Sequence, residues 1–356
     1  MLLVWLLAAL QSPVVKPPHD LTGYLAVAAR YGSADHSAAL REIQEWRTAE
    51  IDAAVAGLRR QGRRLRAVPE APEDIGFRTV EAAVLLHAEA GLLSLQAGRT
   101  SEAQTHLGIS VGLLDWSHTA ADKQRQRGHG IAERVNRRDF DMALAAASLW
   151  LGSPDTACLF AEEARRRAPL DAEVHLMLGC AAETRARELA LGPQDSEAER
   201  RRDEAEHALG DALALDPGLQ EARLRLGQLL VDRGRLVQAE SLLDEVEAHA
   251  ADDRQRYLAR LFLGRLAAAR GRVDDAVAFY RRALEAWPDS QAARLALAQA
   301  LEQSSGPSVA WPLVAGSLAA SGRLDRTRDP WWAYLLGPPG QAQASLSRLW
   351  NEALGR

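Results

Sequence analysis

Residues 257–288 read YLARLFLGRLAAARGRVDDAVAFYRRALEAWP, and this stretch decides the fold. Its first half carries apolar residues at the spacing of one helical face and ends at Gly271, a residue type that commonly terminates helices. In the second half, residues at i, i+4 and i+7 form one stripe, namely Ala276, Tyr280 and Ala283. Pro288 cannot continue this second helix. The stretch therefore predicts two antiparallel helices joined by a tight turn at Gly271.

A small residue followed twelve positions later by alanine recurs along the chain. In the stretch quoted above the pair is Gly264 and Ala276, and two helices cross closely only where the contact carries small side chains. The other pairs are Gly91/Ala103, Ala145/Ala157, Gly227/Ala239 and Ala298/Ala310, with Gly179/Ala205 the same pair lengthened by fourteen residues. Such self-similarity is typical of a helical repeat array, in which each unit buries its apolar face against its neighbours.

Composition agrees with an all-α chain and argues against one class of partner. Of the 356 residues, 47% are hydrophobic but only 5% are aromatic, because the apolar content is dominated by alanine and leucine, which are strong helix formers. The formal net charge is −5, and acidic residues are interleaved with the arginines. A nucleic-acid-binding protein would instead carry a basic stripe. We therefore expect no nucleic-acid partner.

The repeat resembles the tetratricopeptide repeat. That family places Leu-Gly on its first helix, Gly at the turn, then Ala, an aromatic residue, Ala and a closing Pro, and residues 257–288 carry each of these. The marker spacing is 34 residues from Ala145 to Gly179 and again from Gly264 to Ala298, which equals the family period. The resemblance covers roughly residues 80–320. It implies a right-handed α-solenoid of about six helix-turn-helix units with atypical helical caps, acting as a non-enzymatic protein-protein interaction scaffold.

Departures from the repeat predict how the chain is organised. Fourteen added residues are close to four helical turns, so a lengthened hairpin keeps both apolar faces in phase. The predicted segments are an apolar segment or signal peptide with a Pro-rich linker at 1–20, an N-terminal helical cap at 21–62, a linker at 63–79, the solenoid at 80–320 and a C-terminal capping segment and helix at 321–356. Inside the solenoid we expect an extended connection at 112–137 and the lengthened hairpin at 172–219, its tip near residues 192–195.

The first ten residues, MLLVWLLAAL, form an uncharged apolar run that ends before Pro13. The run is too short to span a bilayer, so no transmembrane span is expected, but it suits the apolar region of a secretory signal. This favours a periplasmic or secreted bacterial protein. The alternative is a cytoplasmic regulator or accessory subunit of an enzyme complex, in which the run is a structural helix.

A search for catalytic and metal-binding motifs finds no catalytic residues, metal ligands or cofactor site. His118 and His129, with Asp115 and Glu133, lie on a polar connection where histidines are ordinarily solvated, although a hydrolase built on residues 112–137 is a third possibility. Cys158 and Cys180 could pair in an oxidising compartment, but single buried cysteines acting as small apolar residues are commoner.

The family resemblance also predicts where a partner would bind. It implies a groove lined by the first helix of each unit, through the residues three before, one after and four after the small residue of that helix. The candidate groove residues are Met142, Leu176, Leu224, Gln228, Leu261, Arg265, Leu295 and Gln299. Such a groove suits a partner helix or extended peptide, while the alternative is that the leucine row is buried in the protein's own core. The oligomeric state stays open.

Residues 329–334, DPWWAY, are the most aromatic stretch of the chain. Trp331 and Trp332 either seal the end of the stack as part of a cap or form an exposed aromatic surface. Large aromatic side chains are usually buried and the end of a solenoid needs covering, which favours the cap.

Overall fold

The computed structural model describes residues 87, 88, 90, 91, 94, 102–110, 137–321, 329–335, 337, 338, 344, 345, 348 and 349. These residues form helices and the turns between them, and no strand occurs among them. The predicted segments 1–20, 21–62 and 63–79 lie outside the described residues, as does the connection 112–137 apart from Arg137. His118 and His129 are therefore outside them too.

Eleven helices are bounded in the described part of the chain. They are α1 Arg137–Trp150, α2 Pro154–Arg167, α3 Ala172–Leu189, α4 Asp195–Leu215, α5 Gln220–Asp232, α6 Leu236–His249, α7 Asp253–Ala269, α8 Val273–Ala286, α9 Gln291–Ser305, α10 Pro307–Ser321 and α11 Pro330–Leu335. Each helix from α2 to α9 packs against the next one along the chain. The first helices of successive units, α3, α5, α7 and α9, also pack against one another. This arrangement confirms the predicted all-α solenoid.

Glycines form the turns inside the hairpins. Gly234 and Gly271, which follow α5 and α7, have φ values of +72° and +73°, a region that residues with a side chain rarely adopt. The longest hairpin differs: α3 and α4 have 18 and 21 residues, and residues 190–194 form the turn between them. The longest helices thus lie in the hairpin in which the spacing from Gly179 to Ala205 exceeds the usual twelve residues by fourteen.

The small residue of each first helix lies against a large side chain of the second helix. A Cβ atom added at Gly264 would lie 2.6 Å from Cδ1 of Tyr280, and one added at Gly227 would lie 2.8 Å from Leu243. The same holds for Gly179 with Leu209 and for Gly91 with Leu107. In all four hairpins the large residue comes four positions after the alanine of the repeat, which itself is fully buried at Ala103, Ala205, Ala239 and Ala276. Glycine is therefore needed because of the large residue one turn beyond the alanine.

The chain divides into two compact units, one of Met1–Leu144 with Ala342–Arg356 and one of Ala145–Gln341. In the first unit the guanidinium of Arg348 lies 2.8 Å from the Asp139 carboxylate, and the Nδ1 atoms of His87 and His106 are 2.8 Å apart. The second unit holds the continuous run of helical hairpins. Its core includes Tyr257, Phe262 and Leu243, all fully buried.

The sequence placed residues 321–356 over the end of the stack, and the structure places part of them elsewhere. Helix α11 packs on α7, which lies inside the array and not at its end. The reason is chemical: the Tyr334 hydroxyl donates a hydrogen bond to Glu183 of α3, and its ring packs on Phe262 of α7. Pro312 lies inside α10, and the helix continues to Ser321.

Candidate functional site

A short piece of the chain lies across the first helices of the second unit. We call the side formed by α3, α5, α7 and α9 the first-helix face, and residues 329–335, 337 and 338 the docked segment. The docked segment contacts α9 at its start, then α7, α5 and α3, and finally the end of α1. It therefore crosses successive repeat units in the reverse of their chain order.

The docked segment begins with a carboxylate shared by two helix N-termini. Oδ1 of Asp329 accepts a hydrogen bond of 2.9 Å from the backbone N–H of Trp331, and Oδ2 accepts one of 3.2 Å from that of Gln291. These N–H groups belong to the first turns of α11 and α9, where backbone donors lack partners within the helix. Asp329 thereby fixes the start of the docked segment to the fourth first helix of the unit.

An aromatic cluster holds the middle of the docked segment. The rings of Trp331 and Tyr334 are stacked, with centroids 5.7 Å apart and an angle of 13° between their planes. Both meet Phe262 of α7 edge-on, at centroid distances of 6.2 and 5.2 Å. Aromatic pairs in these geometries add about 0.5–1.5 kcal/mol beyond the area they bury.

Tyr334 occupies a pocket that contacts its hydroxyl, its ring and its backbone carbonyl. Its hydroxyl donates a hydrogen bond of 2.6 Å to Oε1 of Glu183, and the guanidinium carbons of Arg225 and Arg187 lie 4.2 and 5.5 Å from its ring centroid. Its backbone carbonyl accepts a hydrogen bond of 2.8 Å from Nη2 of Arg225. We call Glu183, Arg187, Arg225 and Phe262 the tyrosine pocket.

Arg225 is fully buried and connects three helices. Besides the Tyr334 carbonyl, its guanidinium donates to Oε1 of Glu221 at 2.8 Å and to Oε2 of Glu183 at 3.1 Å. Glu221 in turn accepts a hydrogen bond of 2.8 Å from Arg254 of α7. Breaking such a buried pair by removing one partner costs about 3–5 kcal/mol, since the remaining charge is left uncompensated. The network therefore holds α3, α5, α7 and α11 in a fixed relation.

Titration properties follow from this burial and pairing. Burial acts to raise the pKa of Glu183, but Arg187, Arg225 and the Tyr334 hydroxyl outweigh it, so this pKa lies below its ordinary value. Burial and the Glu183 charge together raise the pKa of Tyr334 well above its ordinary value. The pocket thus combines an ionised carboxylate with a protonated tyrosine at neutral pH.

The docked segment ends in a close backbone approach. Gly337 has a φ of +108°, and a Cβ atom there would lie 2.8 Å from Cδ1 of Leu149. Both the conformation and the space therefore require glycine at this position.

Five of the predicted groove residues are buried, and four of them are apolar. Met142, Leu176, Leu224 and Leu261 expose at most 3% of their surface, so the leucine row is core up to α7 and is not free for a partner. Leu295 and Gln299 on α9 are exposed. Arg265 is partly exposed and lies 2.8 Å from Asp232 in an ion pair.

Gln228 differs from the other predicted groove residues. Only 2% of it is exposed, yet neither its side-chain oxygen nor its nitrogen has a hydrogen-bond partner in the described part of the chain. It lies on α5 one turn beyond Leu224 and Arg225. An unpaired buried amide destabilises the fold by about 1–3 kcal/mol. A ligand group that formed hydrogen bonds with this amide would therefore gain a similar amount of binding free energy.

The sequence alone assigned no role to Glu183, Glu221, Arg225 or Tyr334. Arg225 lies between two leucines on a predicted first helix, and a charge amid apolar neighbours was the available signal. The aromatic run at 329–334 was recognised, but its binding place was not. Trp331 contributes to the aromatic cluster on Phe262, and both Trp331 and Trp332 are partly exposed.

Other kinds of site are not apparent in the described residues. Within them, no group of three His, Cys, Asp or Glu side chains is arranged to hold a metal ion. Cys158 and Cys180 are free thiols, and burial above all raises the pKa of Cys180 to about 12. In the same part of the chain, no helix has both the length and the apolar character needed to cross a membrane.

Hairpins stacked so that their first helices form one face define the molecule as a helical-repeat protein. Residues 197–261 and 258–300 each match a family described as Tetratricopeptide repeat. Residues 197–300 thus carry tetratricopeptide repeats, as the sequence pattern predicted.

Part of the chain is similar to solved structures. The thermophilic TPR protein TTC0263 of Thermus thermophilus is 21% identical, with 60% of this chain and 97% of that chain covered and a TM-score of 0.45. MamA 41-end from Desulfovibrio magneticus RS-1 is 19% identical, covering 53% and 98%, and the MamA RS-1 ArsTM double mutant is 20% identical, covering 53% and 97%; both have TM-scores of 0.41. No curated protein sequence matches the chain.

Proposed function

We propose that this chain is a non-enzymatic scaffold that binds a protein partner through its first-helix face, in the bacterial cell envelope. Tetratricopeptide repeats are protein-interaction units, and two family matches cover residues 197–300. The observation that carries the proposal is the docked segment. The first-helix face already holds a short peptide through a backbone carbonyl, a hydroxyl and an aromatic cluster, which are the contacts that a partner segment would use.

Binding is best tested at the exposed part of the face. Leu224 and Leu261 are buried, so a charge at either would unfold the protein, whereas Leu295 and Gln299 on α9 can be changed without disturbing the core. Proximity labelling in the native host, with Leu295→Glu and Gln299→Arg combined, should lose the partner that the wild type captures. A matched control is Leu170→Glu, which changes an exposed leucine in the turn after α2. Equal capture by all three proteins would contradict the proposal.

The envelope location rests on the apolar run at residues 1–10, which lies outside the described residues. Intact-mass measurement of the protein purified from an envelope fraction should find a mature chain beginning between residues 10 and 20. A full-length chain recovered only from the cytoplasmic fraction would contradict this part of the proposal and favour a cytoplasmic regulator or accessory subunit.

A further inference from the structure

We propose that the tyrosine pocket is a recognition site for a partner tyrosine, and that the docked segment is a built-in ligand that the partner displaces. The partner segment is a short aspartate-capped helical turn that carries tyrosine five positions after the aspartate. This inference rests on the proposed scaffold function and names the chemistry of its binding surface. It follows from three features of the docked segment and its surroundings.

The first feature is the fit of the pocket to tyrosine. Phe262 and the guanidinium groups of Arg187 and Arg225 surround the ring, and Glu183 accepts the hydroxyl hydrogen at 2.6 Å. A phenylalanine would fill the same space but leave that buried carboxylate without this donor, which costs more than an ordinary lost contact. A phosphotyrosine would bring its negative charge against Glu183. The pocket therefore selects unmodified tyrosine.

The second feature is the way the docked segment is held. It is bound by contacts that a peptide carries with it: the Asp329 carboxylate, the Tyr334 carbonyl and hydroxyl, and the ring of Trp331. Trp331 and Trp332 are partly exposed whereas Asp329 and Tyr334 are buried, so one side of the segment faces outward and the other packs into the first-helix face. Another chain that presents the same groups could therefore make the same contacts.

The third feature is a buried polar group on the same helix as Arg225 that has no hydrogen-bond partner in the described part of the chain. This group is the side-chain amide of Gln228, which lies on α5 one turn beyond Leu224 and Arg225. A tethered segment has the advantage of a high effective concentration, about millimolar for a short linker. A partner whose backbone also pairs with the Gln228 amide gains the hydrogen bonds that offset this advantage. The docked segment is thus a ligand that a better one can replace.

Peptide binding to the full chain tests the inference. The probe is a fluorescein-labelled peptide with the sequence of residues 328–338, RDPWWAYLLGP, followed by fluorescence anisotropy. Tyr334→Ala in the protein weakens the docked segment, so this variant should bind the probe at least tenfold more tightly than the wild type does. A probe with phenylalanine in place of tyrosine should bind the variant at least tenfold more weakly. The control protein is Trp311→Ala, which removes an exposed tryptophan on α10 and should bind as the wild type does.

A second measurement needs no protein variant. Hydrogen exchange in the wild type should show faster exchange of the Trp331–Leu335 amides when the tyrosine peptide is added in excess, and no change with the phenylalanine peptide. Unchanged exchange with both peptides would overturn the inference, whether or not Tyr334→Ala folds. Equal affinity of the two peptides would also overturn it.

Two further outcomes separate this inference from the broader proposal. If the captured partner is not released by the tyrosine peptide, the scaffold function stands and the tyrosine pocket is not its binding site. If light scattering shows a dimer that forms with rising concentration and that the peptide dissociates, the occupant is a second copy of the chain. That result would overturn the assignment of a separate partner.

Discussion

Gln228 is the residue at which stability and binding are expected to conflict. It is buried without a hydrogen-bond partner in the described part of the chain, so the folded state carries the cost of its lost hydration. Methionine has a similar volume and no polar hydrogen-bonding group to satisfy. We expect Gln228→Met to raise the free energy of unfolding by about 1 kcal/mol, measured by urea denaturation. The matched control is Gln299→Met, which changes the exposed glutamine at the equivalent position of α9 and should leave stability within about 0.5 kcal/mol. A loss of stability in Gln228→Met would contradict the prediction.

Glu183 gives the tyrosine pocket a defined pH response. Burial alone would raise its pKa in the folded protein, but Arg187, Arg225 and the Tyr334 hydroxyl hold this pKa below the ordinary 4.5. A carboxylate with a lowered pKa stabilises the fold above its unfolded pKa, and this stabilisation is lost as the pH falls through the folded value. At pH 7 we expect Glu183→Gln to be less stable than the wild type by about 3–5 kcal/mol, since Arg225 loses a buried partner.

The difference between the two proteins should become smaller as the pH falls below about 4.5, which is the sign expected for a lowered pKa. Urea denaturation at pH 7, 4.5 and 3.5 measures it. A difference that stayed constant over this range would mean that Glu183 binds its proton equally in the folded and unfolded states, so that its pKa is not lowered by folding.

The helical hairpins are set by pairs of residues of complementary size. Where the first helix carries glycine, the residue four positions after the repeat alanine is large: Leu107, Leu209, Leu243 or Tyr280. Where the first helix carries Ala145 or Ala298, the corresponding residue is Ala161 or Val314. Where the first helix carries alanine in place of glycine, the second helix thus carries a smaller residue, as close packing of the two helices requires.

A pair of glycine substitutions tests this account. The Cβ atom of Gly264→Ala would lie within 3 Å of the Tyr280 ring, so the hairpin must open, and we expect a loss of about 1–3 kcal/mol in the free energy of unfolding. Gly210 lies inside α4 with no atom within 4 Å of an added Cβ. Gly210→Ala should therefore gain about 0.5–1 kcal/mol from helix propensity alone. Thermal and urea denaturation would compare the two, and equal effects would contradict the steric explanation.

The hairpins could be predicted from sequence because their contacts are local. Gly264 and Tyr280 are 16 positions apart on adjacent helices, and the same spacing recurs along the array. The sequence also contains the pairing of a glycine with a large residue, but the twelve-residue spacing marks the alanine and not the large residue four positions after it. The docked segment could not be predicted in this way, because it occurs once and has no period. Its site is assembled from Glu183, Arg225 and Phe262, which lie on three different helices.

At the scale of the whole array, arginines at the hairpin turns connect successive units. Arg270, which follows α7, donates a hydrogen bond of 2.5 Å to Glu240 on the preceding second helix, α6. Arg233, which follows α5, pairs in the same way with Glu206 of α4 at 2.7 Å. These contacts are partly exposed, so each contributes modestly and salt screens it.

Arg270→Met keeps the apolar stem of the side chain and removes its charge. We expect a small loss in the free energy of unfolding at low ionic strength, and a smaller loss in about 1 M salt. Guanidinium is itself a salt, so urea is the denaturant to use. A loss that did not change with salt would show that the arginine acts through packing of its stem.

The contact between Tyr334 and Glu183 joins residues 151 positions apart, in an array whose other contacts are mostly between neighbouring helices. The N-terminal part of a chain emerges first, from the ribosome and from an export channel alike, so α3, α5 and α7 can assemble before residue 334 has emerged. During that interval the tyrosine pocket is complete but empty. A partner present where the chain emerges therefore meets the protein without competition, whereas a partner that arrives later must first dislodge the finished C-terminal segment. The order of synthesis thus determines which ligand reaches the pocket first.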